Sequence, residues 1–75
     1  MRQILRLFVI QNAGACDSDS FIVFSHTMDR AAAEQLARDV AGICTPECQE
    51  YQLPKDYEDG RLSGVGLRAY QDLIR

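Results

Sequence analysis

The stretch Ile4-Leu5-Arg6-Leu7-Phe8-Val9-Ile10 constrains this chain more than any other. Six of its seven positions are apolar, and Arg6 is the one interruption. A strand with one face in water alternates apolar and polar residues, whereas one that is apolar on both parities needs cover on both faces. The run therefore predicts a strand largely covered on both sides. With 75 residues there is room for one small core, so residues 1–75 read as a single domain. Asn12-Ala13-Gly14 supplies a turn signal, and the residues from Ala15 to Ser20 are small or polar. Phe21-Ile22-Val23-Phe24 then reads as a short second strand of high β-propensity. A connection of about nine residues suits a hairpin with a wide polar tip.

The clearest helix is expected over Met28–Ala41, with Thr27 as N-cap, Asp29 in the first turn and Gly42 as a left-handed C-cap. Ala32, Leu36 and Val40 are spaced four apart, with Ala33 and Ala37 beside them, and form the expected apolar stripe. Arg30, Glu34, Arg38 and Asp39 fall opposite, and Glu34–Arg38 has the favourable i, i+4 order. The alanine-rich face argues for close packing on a sheet. Glu47–Leu53 reads as a third strand, at an edge because it is polar, with Tyr51 and Leu53 on one face and Glu50 and Gln52 on the other. Pro54–Gly60 reads as a charged loop. Gly64–Ile74 reads as a short terminal helix, weakened at Gly66 by about 1 kcal/mol relative to alanine. The fold class that follows is α+β: a small antiparallel sheet of about three strands in ββαβ order. One main helix lies on a face, and a short helix follows at the C-terminal end. The expected core is Leu5, Leu7, Val9, Ile22, Phe24, Leu36 and Val40.

Charge narrows the functional classes. The net charge is −3, so a direct nucleic-acid binder, which needs a basic excess, is disfavoured. No run reaches the roughly 18 apolar residues of a membrane span. The first apolar stretch contains Arg6 and lacks a small-residue cleavage site, so it does not read as a secretion signal. A soluble, cytoplasmic protein is the expectation. The acid is concentrated in two segments: Asp17, Asp19 and Asp29, and then Glu47, Glu50, Asp56, Glu58 and Asp59, against which only Lys55 stands. Asp17, Asp19, Glu47, Glu50, Asp56, Glu58 and Asp59, with Tyr51 and Tyr57 among them, are the candidate partner-binding residues. Such a surface suits a protein partner with a basic face; an ordinary solvated surface is the competing reading.

Cys16, His26, Cys44 and Cys48 match the ligand count of a Cys3His zinc site, and the Cys44–Cys48 gap lies within the range of a ligand pair. Cys16 and His26 do not fit a knuckle pattern, so free structural thiols are preferred and no metal or other cofactor is expected. A Cys–His dyad lacks an orienting third group, and no enzymatic motif is present, so no catalytic residue is assigned. Asp17-Ser-Asp19-Ser opens like a calcium loop but lacks its glycine and closing glutamate.

Taken together, the strands ILRLFVI and FIVF, the helix MDRAAAEQLARDVAG and the acidic run Glu47–Asp59 give a chain that resembles the small acidic inhibitors of phages and mobile elements, of the anti-CRISPR type. Those families share no motif, so the resemblance transfers no residue role. It implies a non-enzymatic inhibitor in the host bacterial cytoplasm, mimicking DNA charge to occupy a basic nucleic-acid channel of a CRISPR effector complex. The readings from other classes are a zinc- or thiol-bearing accessory domain centred on Cys44 and Cys48, and a homodimeric interaction module pairing through an edge strand or the C-terminal apolar stripe.

Overall fold

In the computed structural model, which describes residues 4–14 and 20–75, the apolar run becomes β1 (Leu5–Asn12), the middle strand of three. β2 (Phe21–Ser25) and β3 (Pro46–Leu53) flank it, both antiparallel to β1. Leu7 sits between Phe24 and Tyr51, and Val9 between Ile22 and Gln49. A strand hydrogen-bonded along both edges needs only its two faces covered to leave water altogether. Leu7, Phe8, Val9 and Ile10 are all buried, and Leu7, Phe8 and Ile10 are 0% exposed.

The two parities of β1 feed two separate clusters. On one face Leu7 and Val9 pack with Leu53, Leu62 and Tyr70, under helix α3 (Gly64–Ile74). On the other, Phe8 and Ile10 pack with Ala33, Ala37 and Ile43, under helix α1 (Arg30–Ala41). The α+β class and the strand-strand-helix-strand order are those read from the chain. Between β3 and α3 lies α2 (Lys55–Glu58), a single turn where the sequence suggested only a loop; the Leu53–Pro54 peptide that leads into it is cis.

Helix α1 is rotated from its expected setting. Val40 is 67% exposed, Ala32 is exposed and Leu36 is only half-buried, while the fully covered residues are Ala33 and Ala37. Methyl groups let the helix settle directly over the large Phe8 and Ile10 side chains, which already fill that layer. A Leu36–Val40 seam would hold it farther away. The helix also begins later than expected. Asp29, not Thr27, is the N-cap, its Oδ1 accepting the Ala32 N–H at 2.8 Å. The N–H groups of Thr27 and Met28 instead donate to Ser25 Oγ at 3.1 and 3.0 Å. Gly42 ends the helix at φ +68°, as expected, and the Ile43 N–H returns to the Ala37 carbonyl at 3.3 Å. Among the described residues Glu34 and Arg38 make no ion pair; Gln35 Nε2 donates to Asp39 Oδ1 at 2.9 Å at the same spacing.

Gly66 lacks helix propensity, and its missing side chain is also what lets the helix sit close on β1. A Cβ there would lie 3.2 Å from Val9 Cγ2 and 3.4 Å from Leu7 Cδ2. Two substitutions test the α1 geometry by chemical denaturation. Ala37→Leu overfills the seam and should destabilise by about 1–3 kcal/mol. Val40→Ala should change stability by no more than about 0.5 kcal/mol. The opposite ranking would return the Leu36–Val40 stripe to the core.

Candidate functional site

The acidic run does not form one loop. Its first half is the edge strand β3, whose pleat sends Tyr51 and Leu53 to the α3 face and Cys48 to the α1 face. Glu47 and Glu50, three residues apart, therefore belong to opposite faces. Its second half is α2 and the turn that follows.

Within this edge the structure divides the candidate residues by task. Asp56 turns back toward the strand, and its Oδ2 accepts the Gln52 N–H at 2.6 Å, an edge amide that β1 does not use. Tyr57 meets Tyr70 edge to face, with ring centroids 5.0 Å apart, and so pins α2 to α3. Tyr51 packs against the cluster of Leu7 and Val9, and its hydroxyl donates to Gln49 Oε1 at 3.1 Å. Glu50 is half-buried, with Oε1 3.9 Å from Arg30 Nε on α1, a pair of a few tenths of a kcal/mol at most at such exposure. Glu47, Glu58 and Asp59 are exposed, and among the described residues none of them enters an ion pair. Asp17 and Asp19 lie outside the described residues.

A groove of about 240 Å³ opens beside Glu47, between β3 and the start of α3. Gln11, Ser20, Gln49 and Tyr51 form its sheet side, and Ser63–Gly66 its helix side. It falls below the roughly 300–1,000 Å³ of small-molecule sites. Sequence reading missed this groove. Its one signal was the small-residue string Ser63-Gly-Val-Gly66, which leaves the helix start without bulk.

Among the described residues, His26 and Cys48 do not converge. Ser25, next to His26, is at the level of Arg6, whereas Cys48 is at the level of Ile10, two strands away. Four residues of strand alone span about 13 Å. His26 Nδ1 lies 3.3 Å from the Ile4 carbonyl oxygen, which accepts from the Nδ1–H tautomer. Among the described residues no three His, Cys, Asp or Glu groups form a metal cluster, and Cys16 lies outside them. Burial raises the Cys48 thiol pKa, Arg30 opposes that, and Glu34 and Glu50 add to it. Cys44 is exposed. Cys48 is partly covered and at mildly alkaline pH is less ionised than an ordinary thiol, so iodoacetamide should label the exposed Cys44 before Cys48, read peptide by peptide by mass spectrometry. Faster labelling of Cys48 would contradict its placement.

No helix among the described residues is long and apolar enough to cross a membrane. Comparison of the chain with protein-family models, curated proteins and solved structures returns no match.

Proposed function

We propose that this protein is a non-enzymatic inhibitor of the anti-CRISPR type, acting in a bacterial cytoplasm. It lays the acidic β3–α2 edge against a Lys/Arg-lined nucleic-acid channel of an effector complex. The observation that carries the reading is the division of labour within residues 47–59. Asp56, Tyr57 and Tyr51 hold the edge in shape, while Glu47, Glu58 and Asp59 stand exposed on it and, among the described residues, enter no ion pair. A channel that holds a phosphate backbone is strongly positive, and fixed carboxylates at its mouth are drawn in by the same field.

The test spares the structural acids. Glu47→Gln, Glu58→Gln and Asp59→Asn together should leave the circular dichroism spectrum and melting temperature unchanged. Against purified effector complexes, in stopped-flow association at two ionic strengths, the triple variant should associate about tenfold more slowly at low salt, with a flatter salt dependence. An unchanged rate and slope, or failure of the natural protein to displace DNA from any such complex, would overturn the proposal.

A further inference from the structure

The two edges of the sheet are built differently. Along β3, Pro46 has no N–H to offer, Asp56 occupies the Gln52 amide, and Glu47 and Glu50 place charge on both faces. These are devices that stop another strand from adding to an edge. β2 has none of them. Its sequence, Phe21-Ile-Val-Phe-Ser25, contains no charge, proline or glycine, and it pairs only with β1. Among the described residues its outer backbone groups have no partner. All five side chains are only half-buried, Ile22 and Phe24 against one cluster and Phe21 and Val23 against the other. Unsatisfied strand edge and partly bare apolar side chains therefore coincide on one element.

We infer that β2 is the pairing edge for a second copy of this chain, giving a two-fold dimer with one continuous six-stranded sheet. The segment is self-complementary when run antiparallel about Val23. Val23 then meets Val23, Ile22 meets Phe24 and Phe21 meets Ser25, pairing β-branched and aromatic side chains across the seam. Self-complementarity selects a second copy, and charge favours this orientation over one that joins the β3 edges. The chain carries a net −3, so two copies repel wherever their acidic edges approach. Joining through β2 puts the two β3 edges at the outer limits of the sheet, five strand spacings or about 24 Å apart. That is about three screening lengths at physiological salt, and the seam itself contains no charge. The inference is independent of the proposed inhibitory function, since the dimer leaves both acidic edges exposed.

Sedimentation equilibrium of the full chain from about 1 μM to about 1 mM, the span of weak dissociation constants, tests this. The weight-average mass should rise from one chain to two and stop there. Val23→Lys sets two ammonium groups against each other on the axis and should weaken dimerisation by at least about tenfold. Val23→Thr, uncharged and of similar shape, should follow the natural protein. Amide exchange of the natural protein adds a readout that needs no variant: β2 amides should become more protected as concentration rises. A monomer over the whole range, growth beyond two chains, an undiminished dimer of folded Val23→Lys, or β2 protection independent of concentration would each overturn the inference.

Discussion

Everything in this fold depends on removing β1 from water on four sides at once. Two sides are hydrogen-bonded edges and two are side-chain layers, and the strand supplies large apolar groups to both layers. Full burial of one such side chain is worth about 1.5–3 kcal/mol, against a net stability of about 5–15 kcal/mol for a typical domain. Neither layer is therefore expendable. The Arg6 guanidinium fits this arrangement because it leaves the strand early and donates to the Met28 carbonyl at 3.1 Å, at the entrance to α1.

The demands of β1 also set the chain path. β2 and β3 are both antiparallel to β1 and hence parallel to each other, so their connection must cross the sheet rather than turn back. Helix α1 makes that crossing and covers one face on the way. The remaining face is left to whatever follows β3. That is α3, held by Gly66 against Val9 and Leu7 and by Tyr70 against Tyr57. The edge with the acidic groups is thereby braced from behind, by contacts that run from α2 through α3 to the central strand.

Much of this is legible in the amino-acid sequence. A run apolar on both parities has few solutions in a chain this short, and Gly42 announces its own conformation. What was misread shares a physical cause: sequence patterns report hydrophobicity, whereas helix-on-sheet contact selects for shape. Leu36 and Val40 outweigh Ala33 and Ala37 on any hydrophobic scale, yet small side chains win where a helix must sit close to Phe8 and Ile10. The packing role of Gly66 was invisible for the same reason, because the residue it makes room for is more than fifty positions away. In the acidic run, period-two alternation correctly separated Tyr51 from Glu50. The tasks of Asp56 and Tyr57 depend on the turn at α2, which four residues of charged sequence do not announce.

The position of α3 has a consequence for how the chain comes into being. Synthesis runs from β1 onward, and the helix that covers Leu7, Val9 and Leu53 is the last of the described elements to leave the ribosome. A chain whose sheet and α1 have formed before α3 docks carries a bare apolar floor where α3 belongs. A sheet with one greasy side is a substrate for chaperones and a seed for aggregation. Premature termination between Leu53 and Gly64 would make that state permanent. The cell would meet such a fragment as a target for degradation rather than as a smaller version of the protein.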